Sequence, residues 1–490
     1  MNAMTKDLFV GIDLGSSGVR IEVYDIDGVL LDEGKHHITS QDVDTWLKAI
    51  EKAMPRIVRE CRDCRKHVAI DSTSGTFIPV DKYGKPLMQP VMYYEKDVEV
   101  WNKIKDMPII RELKERGIPI SASSPIVKII GLKERKPEVY EKTKWFVPAS
   151  TWISYRLCYD DTDVWDEVYT DYTNALKFGL DITVKPPRWY EPLFRELGID
   201  IDKMPRLKPC GEYVCEARGK YASKLGLENT IVYHGMTDGN AAALAGGAIH
   251  KGDLSIYTGS TTVPKFVADK LVIHPAIYYH VHPIEGYLAG SATGFSGYIF
   301  SWLVEKVFNI NYEEASKYVE EVEPGSEYIL FPYGDRGPFY DPLLNPAIIN
   351  IVTRDEPREK IIGKFLRGAM VGITLLEYYY VDLFEKLFNI KISTVKVTGG
   401  TAKSRLWNIL RASIYGKKVE IMGEKVAVGT ILPLLIRNKF YNSVHEASNK
   451  FVKPVETVTP DTKLSKPYEP LKKVFIEKWK KLQELYHIGE

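Results

Sequence analysis

Two short turns rich in glycine and hydroxyl residues constrain this chain more than any other feature of its sequence. The first is the stretch GIDLGSSG at residues 11–18, and a related turn, YTGSTT at 257–262, recurs about half the chain later. Glycine lets the backbone approach a ligand closely, and successive N–H groups in such a turn attract phosphate oxygens. The pair therefore predicts a polyphosphate ligand gripped by two lobes.

Strand-like segments flank both turns. Residues 8–12 and 19–24 are predicted strands, and Asp27-Gly28 marks a tight hairpin into a third strand. Residues 254–257 and 263–267 repeat the pattern of strand, turn and strand. The repeat predicts an internal duplication. Between the two copies, a small-residue helix ends in paired glycines at 246–247, which is a natural helix stop. We therefore expect two domains, 1–247 and 248–490.

Length and charge narrow the function classes. A chain of 490 residues is compatible with two large domains or about three smaller ones. Lys and Arg number 66 against 65 Asp and Glu, so the net charge of +1 provides no long-range field for nucleic acid or an anionic membrane. The N-terminus lacks an apolar signal core, and no apolar run approaches the length that spans a bilayer. These features predict a cytoplasmic protein without a nucleic acid or membrane partner.

Five cysteines are too few and too odd in number to predict a disulfide framework. Cys61 and Cys64, followed by His67, form the one cluster that suggests a metal, but no second ligand pair lies nearby in sequence. Cys210 and Cys215 are a remote candidate pair, and a structural zinc needs four ligands. We expect reduced, partly buried thiols.

The first turn carries a carboxylate as well as phosphate-binding groups. Asp13 sits where it could hold the water shell of Mg²⁺ beside the phosphates, since that cation keeps several waters. Arg20 follows on the next predicted strand, where it could contact phosphate or simply be a surface residue. The turn thus predicts both a phosphate site and its metal.

Two further segments could each bind or react with a ligand, or could have only a structural role. Residues 395–404 predict a strand, a glycine turn and a helix start, where a flat ring could lie on bare backbone, although many strand-to-helix connections look alike. Asp238 lies at the mouth of the small-residue helix, as a general base or merely as an N-cap. The chain has neither a P-loop nor a Gly-x-Gly-x-x-Gly turn.

Taken in order, these segments resemble the FGGY carbohydrate kinase family. The resemblance implies an α/β fold of two actin-like ATPase domains, of the ribonuclease H-like, sugar kinase and hexokinase type, with an interdomain cleft. By similarity, Asp238 is the catalytic aspartate. The implied nucleotide-binding residues are Gly15, Ser16, Ser17 and Arg20 in the first phosphate motif, Gly259, Ser260 and Thr261 in the second, and Gly399, Gly400, Ala402 and Ser404 in the adenosine motif.

The sugar-binding residues are also implied by the resemblance. The stretch AIDSTSGT at 69–76 is most similar to the ribulokinase and xylulokinase branch, in which Ser74 and Gly75 would face the sugar. The family often continues with an aromatic-Asn-Asp-x-Arg run, whereas this chain reads YEKDV at 94–98. Tyr94, Glu95, Thr237 and Asp238 are the remaining implied substrate contacts. A ketopentose is favoured, while a tetritol, glycerol or a modified sugar stays open.

The resemblance thus implies an ATP-dependent kinase that uses Mg²⁺ and phosphorylates a primary hydroxyl of D-xylulose or D-ribulose. One alternative is a kinase of another small polyol such as glycerol or erythritol. A second is a non-catalytic, actin-like, nucleotide-dependent binding protein, because this fold also serves filaments and chaperones. The expected partner is a small sugar or polyol, and a homodimer is one assembly open to the chain.

Overall fold

A computed structural model describes residues 6–118, 120–294, 296–352 and 355–488, which form two compact units. The first unit contains the described residues up to Ala245 together with Tyr279–Tyr287 and Lys425–Lys453. The second contains Gly246–Tyr278, Leu288–Glu424 and the described residues from Pro454 onward. Both units are discontinuous in sequence, whereas the predicted boundary after residue 247 is a single cut. That boundary stays a prediction.

The segment up to residue 245 is mixed α/β. Its strands are β1 (Asp7–Leu14), β2 (Gly18–Tyr24), β3 (Leu30–His37), β4 (Arg65–Ser72), β5 (Phe77–Val80), β6 (Trp145–Pro148), β7 (Tyr169–Asp171), β8 (Leu180–Asp181), β9 (Arg188–Trp189), β10 (Arg206–Lys208), β11 (Tyr213–Glu216) and β12 (Ile231–Thr237). Its helices are α1 (Val43–Ala53), α2 (Arg56–Glu60), α3 (Val98–Ile104), α4 (Pro108–Glu115), α5 (Pro125–Arg135), α6 (Pro137–Lys142), α7 (Ala149–Cys158), α8 (Tyr172–Ala175), α9 (Glu191–Glu196), α10 (Gly219–Leu225) and α11 (Asp238–Ala245), with 3₁₀ turns at Leu176–Phe178 and Ile201–Lys203.

The remainder of the chain is also mixed. Its strands are β13 (Leu254–Thr258), β14 (Thr262–Ala268), β15 (Tyr278–Val281), β16 (Tyr287–Gly290), β17 (Ile329–Phe331), β18 (Ala347–Ile349), β19 (Thr394–Thr398), β20 (Lys418–Met422) and β21 (Pro454–Val458). Its helices are α12 (Gly297–Trp302), continued by a π-helical turn (Leu303–Phe308), α13 (Tyr312–Glu320), α14 (Arg358–Phe388), α15 (Arg405–Tyr415), α16 (Ala427–Arg437), α17 (Val444–Phe451), α18 (Thr462–Ser465) and α19 (Glu469–Tyr486), with 3₁₀ turns at Gly400–Lys403 and Lys466–Tyr468.

The first unit is built on a six-stranded sheet in the order β11-β12-β4-β1-β2-β3. Strand β1 pairs antiparallel with β2 and parallel with β4, and β4 pairs parallel with β12. Every residue of β1 after Asp7 is buried, as expected for a central strand covered on both faces. Helix α16 packs against β1 at Gly11, where a Cβ would lie 2.4 Å from the carbonyl oxygen of Ala427. Only glycine fits there.

The second unit repeats this local arrangement. Its sheet contains β16, β14, β13, β19, β20 and β21 in that order, and β13 pairs antiparallel with β14 and parallel with β19. Strand β1 has the same two relationships with β2 and β4. The hairpins predicted around both glycine turns are therefore confirmed, and each has a parallel strand beside its first member.

A proline interrupts one helical stretch of the first unit. The helical pattern that starts near Thr45 continues in sequence toward Cys61, but the structure ends α1 at Ala53 and begins α2 at Arg56. Pro55 lies between them with φ near −60° and ψ near 148°, immediately before the first residue of α2. Proline removes an N–H and disfavours helical geometry in the residue before it, so the break is local in origin.

The expectation of reduced thiols is wrong for four cysteines. The structure pairs Cys61 with Cys64 and Cys158 with Cys215, while Cys210 is free and buried. Helix α7 and strand β11 bring Cys158 and Cys215 together with Cα atoms 5.9 Å apart, although 57 positions separate them in sequence. Counting cysteines cannot find such a pair, because the fold rather than the spacing creates it. In the ranges that the structure describes, no helix is long and apolar enough to cross a bilayer.

Candidate functional site

Three aspartates of the first unit lie where parallel strands end, and we call Asp13, Asp71 and Asp238 the carboxylate cluster. Asp13 and Asp71 are directly opposite in the register of β1 and β4. Thr237, the last residue of β12, lies opposite Ser72 of β4 and places Asp238 just beyond the same edge. The carboxyl ends of parallel strands are the usual position for ligands in α/β sheets. The topology therefore places acidic groups at a typical ligand-binding edge.

Asp71 is the most buried member of the cluster, with no exposed surface. The Thr430 hydroxyl of α16 donates a hydrogen bond to its Oδ2, whereas Oδ1 makes no hydrogen bond of ordinary geometry within the described part of the chain. Burial, and then the neighbouring charge of Asp13, hold the pKa of Asp71 well above its usual range. Burial also raises the pKa of Asp13, although Asp71 and the charge of Arg20 oppose that shift. Two adjacent buried carboxyls favour either a shared proton or a bound cation.

Asp238 is the first residue of α11, and its side chain is half-buried. Its Oδ1 accepts a hydrogen bond of 2.7 Å from the N–H of Gly239. A capping side chain normally bonds the N–H two or three residues onward, so this contact is not the usual N-cap geometry. The pKa of Asp238 is raised to about 6, chiefly by burial and also by the charge of Asp13, while the Gly239 N–H and the charge of Lys177 oppose the shift. The carboxyl is ionised at neutral pH yet more basic than an exposed aspartate.

The backbone of Ser74 and Gly75 lies between Asp238 and a lysine. Contact with the Ser74 backbone lowers the pKa of Asp238, while the Ser74 carbonyl accepts a hydrogen bond of 3.3 Å from Lys177 Nζ. Gly75 has φ +94°, and a Cβ there would lie 3.4 Å from Lys177 Cδ. Burial lowers the pKa of Lys177, and the charge of Asp238 opposes that shift. Ser74 and Gly75 are thus held beside the carboxylate cluster.

The other predicted sugar contacts differ in access. Tyr94 is 56% exposed and meets Tyr93 edge to face, with ring centroids 5.2 Å apart. Glu95 accepts a hydrogen bond of 2.7 Å from the Met92 N–H, which commits one carboxylate oxygen to its own turn. Thr237 has no exposed surface, and its hydroxyl accepts from Asn240 Nδ2 at 2.9 Å. Sugar contacts at these residues stay predictions, and the Thr237 hydroxyl is already engaged.

The first predicted phosphate turn connects β1 to β2. The Gly15 N–H donates to the Gly18 carbonyl at 3.0 Å, which closes the turn and leaves the Ser16 and Ser17 side chains exposed. Arg20 is exposed on β2, opposite Asp13 in the strand register. Hydroxyl and guanidinium donors are therefore accessible at this turn, near one member of the carboxylate cluster.

Two turns of the second unit carry the remaining predicted residues, and we call them the β13 turn (residues 258–262) and the β19 turn (residues 399–404). In the β13 turn, the Gly259 N–H donates to the Thr261 carbonyl at 3.0 Å. Ser260 is exposed, and its carbonyl accepts a hydrogen bond of 2.9 Å from the Ser296 N–H. Since β13 and β19 are parallel neighbours, the two turns leave the same edge of the sheet.

The β19 turn is open at Gly400, whereas its Ala402 side chain is buried and its Ser404 hydroxyl is hydrogen-bonded. Gly399 has φ +103°, and a Cβ there would lie 2.7 Å from the Thr258 carbonyl oxygen, whereas a Cβ at the exposed Gly400 would meet nothing within 4 Å. The Ala402 side chain is buried. The Ser404 hydroxyl caps α15 by accepting from the Trp407 N–H at 3.3 Å. A flat ligand would therefore meet the backbone at Gly400 rather than the Ser404 hydroxyl.

Metal binding was tested on the donor set. Among the described residues, no group of three or more His, Cys, Asp or Glu side chains is placed to hold a metal ion. Mg²⁺ rarely requires an all-protein cage, because it keeps several waters and usually binds one or two carboxylates together with substrate phosphates. Asp13 and Asp71 meet that smaller requirement, and Asp71 Oδ1 makes no hydrogen bond of ordinary geometry within the described ranges.

Comparison with protein families identifies the chain. The N-terminal domain model of the FGGY family of carbohydrate kinases matches residues 8–245, and the C-terminal domain model matches residues 254–435. The chain belongs to the FGGY family of carbohydrate kinases. This FGGY kinase is a phosphotransferase with an alcohol group as acceptor, it acts on a small carbohydrate substrate, and family membership implies ATP as the phosphate donor.

Individual relatives agree on the family and differ in substrate. The chain is 22% identical to a gluconokinase of Bacillus subtilis, covering 97% of this chain and 96% of the relative, and 23% identical to a xylulose kinase of Staphylococcus epidermidis, covering 98% of each. A solved structure of Plasmodium falciparum glycerol kinase with ADP has a TM-score of 0.84 at 17% identity and covers 99% of each chain. The FGGY kinase therefore has the two-domain sugar kinase fold that its sequence predicted.

Several residues of these regions were missed by sequence reasoning. Asp71 lies in the stretch already compared with sugar kinases and is the next-to-last residue of its strand, as Asp13 is of β1, so the sequence contained a signal for its position. Thr430 is 359 positions from its partner Asp71, and nothing local marks it. Lys177 likewise meets Ser74 across 103 positions. Contacts of this range become visible only in the fold.

Proposed function

We propose that this FGGY kinase transfers the terminal phosphoryl group of ATP to a primary hydroxyl of a ketopentose, D-xylulose or D-ribulose. The observation that carries the proposal is Asp238, a carboxylate with a pKa raised to about 6 beside two other buried carboxyls at the strand edge. Phosphoryl transfer depends chiefly on positioning and on charge stabilisation, and it needs one group to accept the proton of the attacking alcohol.

Asp238 fills the role of that general base. The sugar oxygen bonds to the γ-phosphorus, the bond from the γ-phosphorus to the β,γ-bridging oxygen breaks, and ADP leaves with that oxygen. Asp238 accepts the hydroxyl proton at Oδ2, since Oδ1 is held by the Gly239 N–H. That hydrogen bond fixes the carboxylate, and burial makes it more basic, so both favour proton abstraction.

The glycine turns would bind the nucleotide. Exposed Ser16 and Ser17 of the first unit, and Ser260 of the second, supply neutral donors for phosphate oxygens, with Arg20 as a cationic one. The open backbone at Gly400 would accept the adenosine ring. Closure of the site over its substrates would exclude water, which otherwise competes with the sugar as nucleophile. The interdomain cleft remains a prediction.

Asp13 and Asp71 would hold Mg²⁺ with the triphosphate. When bound, the ion would neutralise charge on the phosphate oxygens during transfer. Before it binds, burial raises the pKa of both carboxyls, and cation binding would favour their ionised forms instead. The Thr430 hydroxyl would keep Asp71 oriented in either state.

Ser74 and Gly75 support a ketopentose as the acceptor. The Ser74 backbone contacts Asp238, and the stretch around it is the one most similar to the pentulose kinase branch. A serine followed by a glycine places little side-chain bulk at this point, and both residues have backbone groups that could bind sugar hydroxyls. The exposed Tyr94 could cover its far side. A small polyol such as glycerol or erythritol is the second candidate, because the 94–98 stretch departs from the common family pattern.

A substrate panel tests this assignment. ADP release would be measured with MgATP and, in turn, D-xylulose, D-ribulose, glycerol, erythritol and gluconate, with Asp238→Asn as the matched control. We expect kcat/KM for one ketopentose to exceed the other classes by roughly tenfold or more, because a site built for given hydroxyls rejects analogues lacking them. Faster turnover with glycerol, erythritol or gluconate would exclude the ketopentose.

We also propose a cytoplasmic location, where ATP and free sugars are available, and a homodimer as the assembly. The Cys158 to Cys215 disulfide bears on the location because a reducing cytosol usually keeps thiols reduced. Non-reducing mass spectrometry of protein trapped with alkylating agent inside cells would decide whether the bond forms there. Light scattering of the purified protein would measure its assembly state.

A further inference from the structure

A buried arginine of the second unit contacts both the β13 turn and the β19 turn. Arg411 of α15 has no exposed surface, and its Nη2 donates to Thr258 Oγ1 at 3.0 Å and to Thr401 Oγ1 at 2.7 Å. The two hydroxyls also bond each other at 2.5 Å, although 143 positions separate them in sequence. One guanidinium therefore joins two turns that the chain itself does not connect.

The opposite side of the guanidinium is fixed by an ion pair. Arg411 Nε donates to Glu377 Oε2 of α14 at 3.0 Å, and Nη2 donates to Oε1 at 3.3 Å. The Tyr415 hydroxyl donates to Glu377 Oε2 at 2.5 Å, and Arg411 Nη1 donates to Asn408 Oδ1 at 3.0 Å. Both charged side chains are fully buried. We call Arg411, Glu377, Thr258 and Thr401 the arginine hub.

A buried ion pair contributes little net stability to a core, because removing its charges from water costs free energy and well-packed apolar side chains often stabilise as much. The arginine hub does more than fill space. The guanidinium donates hydrogen bonds to hydroxyls of the two turns on one side and to the side chains that hold it in place on the other. The fit is also close, because Gly399 lies so near Thr258 that a Cβ would sit 2.7 Å from its carbonyl oxygen. Small displacements of either turn would break several hydrogen bonds at once.

We propose that Arg411 is a positioning residue for nucleotide binding, which sets the spacing between the phosphate-binding β13 turn and the adenosine-binding β19 turn. The inference rests on the proposed assignment of these turns to ATP. Arg411 touches no ligand, because it is fully buried. It acts through the Thr258 and Thr401 hydroxyls. The phosphates and the adenosine ring can then contact the β13 turn and the β19 turn at the same time, without rearrangement of either turn.

Two variants loosen the hub in different ways. Thr258→Val keeps the volume, removes one hydroxyl and leaves the ion pair intact, and Thr258 has no exposed surface with which to touch a ligand. Arg411→Lys keeps the charge but loses the planar fork. The matched control is Arg367→Lys in α14, a second buried arginine of the same unit that lies near Glu327 and donates to the Val319 carbonyl at 3.3 Å.

The readouts are the Kd for a non-hydrolysable ATP analogue by calorimetry, KM for ATP and for the sugar, and the melting temperature. We expect Thr258→Val and Arg411→Lys each to weaken analogue binding and to raise KM for ATP by about tenfold, with KM for the sugar unchanged. Arg367→Lys is expected to lower the melting temperature comparably while keeping analogue affinity.

Unchanged affinity in folded Thr258→Val would overturn the positioning role, as would an equal loss of affinity in Arg367→Lys, since general destabilisation would then explain it. If Arg411→Lys fails to fold, Thr258→Val decides alone. If wild-type protein binds no ATP analogue, the proposed function fails together with the inference. If wild type binds and the hub variants bind equally well, only the inference fails.

Discussion

The carboxylate cluster and the arginine hub differ in their electrostatics, since one brings like charges together and the other pairs opposite charges. In the first unit, Asp13, Asp71 and Asp238 bring like charges together at a strand edge, and one buried oxygen of Asp71 makes no hydrogen bond of ordinary geometry to any residue that the structure describes. In the second unit, Arg411 and Glu377 bring opposite charges together, and hydrogen bonds surround both side chains. Repulsion between the carboxylates destabilises the cluster until a proton or cation binds, whereas the charges of the hub are already paired and hydrogen-bonded.

The contrast corresponds to two proposed roles, catalysis for the carboxylate cluster and structural support for the arginine hub. In the proposed function the carboxylate cluster accepts a proton and binds a metal, and groups with such roles cannot form all their hydrogen bonds and ion pairs beforehand, which costs the protein some stability. A scaffold that only holds two turns in place can be satisfied completely. Substitutions in the two regions should therefore affect activity and stability in opposite proportions.

The largest expected effect is that of Asp238→Asn. An amide cannot take the hydroxyl proton, so we expect kcat to fall by about 10²- to 10⁴-fold while ATP analogue affinity stays within a factor of about two. Coupled ADP release and calorimetry on the same preparation measure both. Turnover close to that of wild type would exclude Asp238 as the base.

Glu377→Gln should produce the largest loss of stability. Removing one partner of a buried pair leaves Arg411 uncompensated, and such changes cost about 3–5 kcal/mol of unfolding free energy. Denaturant unfolding measures it, with Asp382→Asn as the control, because Asp382 forms an exposed pair with Lys386 of the same helix and should change stability by about 0.5 kcal/mol or less. Equal effects of the two variants would show that the hub contributes no special stability.

Asp71→Asn should do the reverse and stabilise the protein. The pKa of Asp71 is raised in the folded state, so that state binds more protons than the unfolded one and stability falls as pH rises above the unfolded value. A neutral amide removes this penalty and can donate to Asp13. We expect a gain in unfolding free energy at about pH 8 that shrinks toward about pH 4. Destabilisation at the higher pH would argue that Asp71 is satisfied as an anion.

The smallest expected effect concerns the metal requirement. Asp13→Asn weakens a carboxylate ligand, so the Mg²⁺ concentration for half-maximal activity should rise by about tenfold, with kcat partly restored at high Mg²⁺. The control is Asp25→Asn on an exposed turn, where Asp25 accepts from the Asp27 and Val29 N–H groups. An unchanged Mg²⁺ requirement in Asp13→Asn would remove this residue from the metal site.

The sequence predicted the features that local chemistry determines. Glycine and hydroxyl residues between alternating apolar segments located both hairpins, and a family resemblance correctly indicated the fold. The partners Asp71 and Thr430, and likewise Arg411 and Thr258, could not be predicted, because 359 and 153 positions separate them. The disulfide between Cys158 and Cys215 was missed for the same reason. Long-range pairing depends on strand order and helix packing, which no local pattern encodes.

The pH dependence of kcat/KM for the sugar, at saturating MgATP, tests the central claim most directly. Asp238 must be ionised to act as a base, and its pKa is raised to about 6 by burial. Activity should therefore be level above about pH 7 and fall tenfold per pH unit below about pH 6, while the residual activity of Asp238→Asn shows no such inflection. A wild-type profile that is flat across this range, or an inflection that persists in Asp238→Asn, would contradict the account.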